Sequence, residues 1–160
     1  MKVVLDTSAI IYLNDFRMFD EMFTVSDVID EVKDRISALK LSGINFQVVD
    51  PMESSIKEIK EIAKETGDLE KLSRTDTKIL ALAKENKLDI ISDDYNIQNV
   101  AEKIGISYIS LFSEKITKFI QWEKYCDNCK RFYEKRDTCP KCGNQLIRKP
   151  ITEELIKNKN

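Results

Sequence analysis

At 160 residues the chain has room for one ordinary domain and a small appendage, and a 42% hydrophobic content suffices for a genuine core. It contains no histidine, which excludes Ser-His-Asp and Cys-His triads, imidazole acid–base catalysis and RNA cleavage by paired histidines. With 34% charged residues, a net charge of −2, no apolar run near the roughly 20 residues of a bilayer span and an early apolar stretch broken by Asp6 and Asn14, the expected setting is the cytoplasm, with no signal peptide and no membrane partner.

Val3, Val4 and Leu5 read as a short strand without a polar face, as at the centre of a parallel sheet covered on both sides. It stops at Asp6, followed by Thr7 and Ser8, which favour a helix start. A carboxylate there falls where open α/β sheets place their ligand crevice. Ala9, Ile10, Ile11 and Leu13 predict a short helix, and Phe16, Met18, Phe19, Met22 and Phe23 an apolar helical connection. Ser26 caps an amphipathic helix with Asp27 and Asp30 near its start. Val28, Ile29, Val32, Ile36 and Leu39 form its stripe, and Glu31 lies on it.

Residues 46–49 give a second strand, closed by Asp50-Pro51. Ser54 or Ser55 opens a helix that ends at Gly67, and Ser73-Arg74-Thr75-Asp76 is a capping box opening another, with Ile79, Leu80, Leu82 and Ala83 inward. A third strand over 88–91 stops at Ser92-Asp93-Asp94. Ile97, Val100, Ala101 and Ile104 predict a further helix capped by Gly105, and 106–109 a fourth strand. Ile116, Phe119 and Ile120 read as a last helical turn or two. Strands separated by helices in this way mean βαβ units and a parallel sheet. Aliphatic periodicity ends near residue 123, which divides the chain into an α/β domain (1–123), a cysteine module (124–150) and a frayed polar tail (151–160).

In a parallel sheet, Asp6 and Asp93-Asp94 converge on one edge, and Asp76 and Glu31 can face the same cleft. Like charges that close repel unless a cation sits among them. An all-oxygen donor set suits Mg²⁺ or Mn²⁺, held by Asp6, Asp76 and Asp94. Such a site can activate water and stabilise the leaving oxygen of a phosphodiester. Each residue also has a plainer reading on its own: Asp76 as a cap, Asp93-Asp94 as a helix start, Glu31 as a solvated surface group.

Cys126-x2-Cys129 and Cys139-x2-Cys142 stand nine residues apart and use every cysteine in the chain. Four thiolates suit one structural Zn²⁺, with a disulfide pair, a redox motif or an iron site as alternatives. About 27 residues cannot bury a core alone, so metal binding supplies much of the module's folding energy. Phe132, Tyr133, Leu146 and Ile147 are expected to pack as the hairpins of a ribbon. The module is basic where the body is acidic: residues 124–150 carry eight Lys/Arg against three Asp/Glu, and residues 1–123 carry 16 against 23. That asymmetry suits a polyanion, though a solvated Lys-rich surface gives the same count. Tyr125, Lys130, Arg131, Lys135, Arg136, Lys141, Arg148 and Lys149 are the candidate RNA contacts, by charge and stacking. A scaffold for protein contacts is the other reading.

Val3-x-Leu5-Asp6-Thr7-Ser8, the mid-helix Glu31-Val32, Leu72-Ser73-x-x-Asp76 with 80–83, and Ile91-Ser92-Asp93-Asp94 resemble the ordered motifs of PIN-domain nucleases. That resemblance implies cleavage of single-stranded RNA with one or two Mg²⁺ or Mn²⁺ ions. It places Asp6, Glu31, Asp76 and Asp94 at the metal-site positions, Ser92 as the hydroxyl of the last motif, Asp93 at its variable middle place, and Ser8 as the hydroxyl that orients the first aspartate. The order of this domain and the ribbon (Trp122-Glu123-x2-Cys126-x2-Cys129, then Cys139-Pro140-x-Cys142-Gly143-Asn144), with the stretch from Asp93-Asp94-Tyr95 to Gln98-Asn99, resembles the archaeal Nin-one-binding endonuclease family. This implies a metal-dependent endoribonuclease maturing the 3′ end of precursor small-subunit rRNA within an assembling ribosomal particle and its assembly factors. A toxin-type PIN ribonuclease and a non-catalytic RNA-binding assembly factor are the competing readings.

Overall fold

The computed structural model describes residues 1–33, 35, 41–112, 116–134 and 136–156. Five parallel strands form its main sheet: β1 (Lys2–Leu5), β2 (Glu21–Thr24), β3 (Gln47–Val48), β4 (Asp89–Ile91) and β5 (Tyr108–Ile109), in the spatial order β3-β2-β1-β4-β5. Val3, Val4 and Leu5 are fully buried, as the absence of a polar face on β1 requires. The helices are α1 (Thr7–Tyr12), α2 (Ser26–Lys33), α3 (Glu53–Thr66), α4 (Arg74–Asn86) and α5 (Tyr95–Ile104). Ile10, Val28, Ile59, Leu80, Leu82 and Val100 from these helices join the strand residues in one core. No described helix is long and apolar enough to cross a membrane.

From β1 the chain runs outward to β2 and β3, then returns to the other side of β1 for β4 and β5. The carboxyl ends of β1 and β4 therefore flank a reversal of strand order, where an open α/β sheet leaves a crevice. Asp6 follows β1 directly, and its N–H donates to the Ile91 carbonyl at the end of β4. Both strand-end motifs thus reach the same edge.

A second, antiparallel sheet comprises β6 (Lys118–Cys126), β7 (Arg131–Tyr133) and β8 (Ile147–Leu155), in the order β7-β6-β8. Strand β6 pairs with β8 from Lys118↔Leu155 to Tyr125↔Ile147, with one irregularity between Gln121 and Trp122. Gly67, at the end of α3, has φ +77, and a Cβ there would lie 2.2 Å from the Trp122 carbonyl oxygen. Only glycine fits where the two sheets meet.

Several expectations need correcting. The stretch expected to be a helical connection contains β2; Met22 and Thr24 are buried while Glu21 and Phe23 are only partly so, a period of two that the phenylalanine spacing disguised. Phe119 and Ile120 lie in β6, not in a helical turn, and β6 runs unbroken through residue 123. Residues 151–155 belong to β8; ladder bonds to β6 and the Lys118–Glu153 ion pair at 2.9 Å order a segment whose composition suggested a frayed end. Ile36 and Leu39 of the expected α2 stripe lie outside the described residues.

Candidate active site

Asp6 is buried at the end of β1, and its Oδ1 accepts from the Ala9 N–H at 2.6 Å and the Ser8 hydroxyl at 2.8 Å. It therefore caps α1 while presenting its carboxylate to the crevice. Burial pushes its pKa up; hydrogen bonds from Ser92, Ala9 and Ser8 pull it back, and the charge of Asp93 adds to the rise. Asp76 completes the capping box of α4, accepting from the Ser73 N–H at 2.8 Å while its own N–H donates to the Ser73 hydroxyl at 3.0 Å. Burial raises its pKa as well, opposed by the Ser73 bonds and reinforced by the charges of Asp94 and Glu31. Capping and a place in the acidic cluster are one arrangement here, not alternatives.

Asp94 caps α5, with its Oδ1 accepting from the Asn96 N–H at 2.7 Å and the Asn96 side-chain amide at 2.9 Å. The Ser92 hydroxyl accepts from the Asp94 N–H at 3.1 Å. Glu31 is exposed on α2, yet both its oxygens are held: Thr7 donates to Oε2 at 2.6 Å and Thr75 to Oε1 at 2.7 Å. Asp93 Oδ1 accepts from Leu111 N–H at 2.9 Å, Phe112 N–H at 3.1 Å and the Ser110 hydroxyl, so this carboxylate ties down the loop after β5.

Asp6, Ser8, Glu31, Asp76, Asp93 and Asp94 all line one cleft of about 270 Å³ at the crevice between β1 and β4. The five acidic residues proposed for the site from the sequence line this one cleft. Among the described residues, the four cysteine sulfurs are the group of three or more ligand atoms gathered closely enough to share one ion, all within 4.8 Å of one another, and the carboxylates of the cleft form no such group. The all-oxygen donor set, and the charges of Asp94 and Glu31 that add to the rise of the Asp76 pKa, suit a divalent cation that keeps several waters.

Thr7 and Thr75, the two donors to Glu31, were not singled out from the sequence. Both stand inside recognisable capping segments, but their partner lies 24 and 44 positions away in the chain, so no local pattern announces the contact.

Cys126 ends β6, and the four sulfurs gather with Leu146 and Tyr133 into a separate small core. The Cys126 and Cys142 sulfurs are 3.5 Å apart and those of Cys129 and Cys139 3.8 Å, far beyond the roughly 2.05 Å of a disulfide bond. Lys130 N–H donates to the Cys126 carbonyl and Gly143 N–H to the Cys139 carbonyl, both at 2.8 Å, which curls each Cys-x2-Cys turn around its pair. All four cysteines are free, and this set can close a tetrahedral metal site. Phe132 and Ile147 do not join this core. Phe132 is exposed and stacks on Tyr125, with ring centroids 4.8 Å apart, and Ile147 is exposed on β8.

The candidate RNA contacts divide. Tyr125 is buried beneath Phe132, with the Lys149 ammonium 4.0 Å from its ring centroid, and so has no face open to a base. Arg148 points inward to the Gly67 carbonyl and Asp68 and does not meet a phosphate from the surface. Lys130 pairs with Asp127 at 2.8 Å but stays exposed, as do Arg131, Arg136, Lys141 and Lys149; Lys135 lies outside the described residues.

Comparison with known proteins places these features. The family profile described as "PIN domain of ribonuclease" matches residues 3–85. Endoribonuclease Nob1 of Archaeoglobus fulgidus is 39% identical over 162 aligned residues, covering 98% of this chain and 95% of that protein. Ribonuclease VapC1 of Thermoplasma acidophilum is 34% identical, covering 92% of this chain and 78% of its own length. The 20S-pre-rRNA D-site endonuclease nob1 of Schizosaccharomyces pombe is 33% identical over 60% of this chain and 26% of its length.

Proposed function

The chain belongs to the PIN-domain Nob1 endoribonuclease family, and from that premise we propose that it cleaves precursor small-subunit rRNA at the mature 3′ end, within assembling ribosomal particles in the cytoplasm. The observation that carries this reading is the meeting of Asp6, Glu31, Asp76 and Asp94 in one cleft at the strand reversal. Asp6, Asp76 and Asp94 would hold Mn²⁺ or Mg²⁺, with Glu31 lining the same cleft. Bound there, a divalent ion supplies Lewis-acid activation of water and neutralises charge on the phosphodiester.

The protein's own part is orientation. Ser8 and the Ala9 N–H fix the rotamer of Asp6, Asn96 fixes Asp94, the Ser73 backbone fixes Asp76, and Thr7 with Thr75 fixes Glu31. With no histidine to act as base, a water nucleophile leaves a 5′-phosphate and a 3′-hydroxyl. The four cysteines hold one structural Zn²⁺, and the exposed Arg131, Arg136 and Lys141 beside it contact the RNA backbone.

The likeness to a VapC ribonuclease favours a second reading, a toxin-type nuclease acting on another RNA. One experiment separates them. The full chain, its Asp6→Asn and its Asp94→Asn variants are incubated with Mn²⁺ and an rRNA precursor fragment spanning the mature 3′ end. The expected result is one 5′-phosphate cut at that end by the wild type, with at least about a hundredfold loss in both variants. Cutting dispersed over unrelated RNA removes the rRNA assignment, and undiminished cutting by the variants removes the acidic site.

A further inference from the structure

Tyr12 and Phe112 form an exposed aromatic pair on the lip of the acidic cleft. Tyr12 is the last residue of α1 and lines the cleft itself; Phe112 stands in the loop after β5, at the same sheet edge. Their ring centroids are 5.8 Å apart with the planes at 89°, an edge-to-face arrangement that leaves ring surface open. Tyr12 is 56% and Phe112 69% exposed. Phe112 is held in place, because its N–H and that of Leu111 both donate to Asp93 Oδ1.

The charge of the cleft decides what such a pair is for. Five carboxylates line it, and Arg35 is the cation among its lining residues. Flanking phosphates of an RNA strand therefore find little positive charge there, and a carboxylate-lined wall repels them. Unpaired bases carry no charge and stack on any aromatic face.

We propose that Tyr12 and Phe112 form a stacking platform for one unpaired base adjoining the cut, and so set the register of the RNA in the cleft. This rests on the nuclease reading above and adds to it the means by which the strand beside the scissile phosphate is held. The platform recognises a single-stranded purine or pyrimidine, tolerant of its identity, and does not accommodate a base that remains paired in a duplex.

The test uses the full chain and the rRNA precursor fragment, with 2-aminopurine placed in turn at each position flanking the cut. Wild type is expected to change 2-aminopurine fluorescence on binding at one position, and Tyr12→Ala and Phe112→Ala to abolish that change. In Mn²⁺, each alanine variant is expected to raise KM about 5- to 150-fold, the loss of one base–aromatic stack, with kcat within about twofold. Phe112→Trp keeps the wild-type KM, and Met18→Ala, at an exposed residue outside the cleft lining, leaves it unchanged. If wild type cleaves and the alanine variants keep its KM, or lose kcat instead, the platform is wrong and the nuclease reading stands. If wild type fails to cleave at all, that reading falls, and the fluorescence change at one position still decides the platform.

Discussion

Asp68 and Arg148, eighty positions apart in the chain, form an ion pair that fastens the antiparallel sheet to the parallel-sheet domain. Asp68 is almost wholly buried; Arg148 also donates to the Gly67 carbonyl at 2.9 Å and lies 4.5 Å from the Trp122 ring centroid. Burial pushes the Asp68 pKa up, while Asn99, Thr66 and Arg148 pull it back. The Asn99 amide donates to Asp68 at 2.6 Å and pairs with the backbone of Ile120 in both directions. The ribbon is therefore held in a fixed relation to α5, the helix that Asp94 caps.

Removing the arginine exposes what the pair holds. Arg148→Ala strands a buried carboxylate and uncovers Trp122, and the expected loss is roughly 3 kcal/mol of unfolding free energy. Trp122 is the one tryptophan in the chain, so urea unfolding followed by its fluorescence reports directly on this seam. An unchanged midpoint would mean that the pair contributes nothing to the junction.

A second ion pair, one helical turn from Glu31 on α2 but outside the residues that line the cleft, gives a pH signature of its own. The Lys78 ammonium, with its side chain 10% exposed, bonds Asp27, and the neighbouring Asp50 Oδ1 lies 3.4 Å from the same ammonium. Hydrogen bonding to Lys78 is the main cause that holds Asp27 below the usual carboxylate range. Its folded pKa thus lies below its unfolded value of about 3.8. The stabilisation is present above that unfolded value and is lost as pH falls through the lowered folded one. Asp27→Asn should cost about 1–2 kcal/mol near pH 7, with the gap to wild type closing below about pH 3.8. Denaturant titrations at pH 7 and at acid pH check this, and a gap that persists at low pH would assign the loss to packing.

Much of this was legible before any coordinates. The apolar run 3–5 ending in Asp6, the capping box at Ser73 and the run 90–91 ending in Asp93-Asp94 are local patterns, and local patterns carry both strand identity and strand direction. Parallel pairing then forces their ends to one edge. What escaped was what depends on distant partners. Thr7 and Thr75 show nothing in their surroundings of the glutamate they hold. Residues 151–155 of β8 look like a polar tail because their order comes from β6 and not from an apolar face of their own. Tyr125 looked available for bases because charge and aromaticity say nothing of which side of a hairpin is covered.

Metal removal should separate the two sheets energetically. The small core around Cys126, Cys139 and Leu146 has few apolar members, so the proposed zinc would supply much of the ribbon's stability, whereas the parallel sheet has a large apolar core of its own. Strong chelation is expected to release one Zn²⁺ per chain. Amide exchange in 126–146 should then rise to that of an unfolded segment, while the amides of β1 and β4 stay protected. Protection of 126–146 that survives chelation counts against a structural metal.

Thr75 offers the sharpest check on the cleft, because its hydroxyl bonds Glu31 and none of the three proposed metal ligands. Its hydroxyl donates to Glu31 Oε1 at 2.7 Å, and its side chain is buried at the start of α4. Thr75→Val keeps the shape and removes one of the two donors that orient Glu31, leaving it held by Thr7 alone. Supporting bonds of this kind are worth about 10- to 100-fold in metal affinity or activity. The variant should therefore need about 10- to 100-fold more Mn²⁺ for half-maximal cleavage and approach the wild-type rate once saturated. Thr7→Val, acting on the other oxygen, should shift the same Mn²⁺ titration in the same direction. A loss of rate that saturating Mn²⁺ cannot restore would assign Glu31 to the chemical step; an unshifted titration would leave it a surface residue.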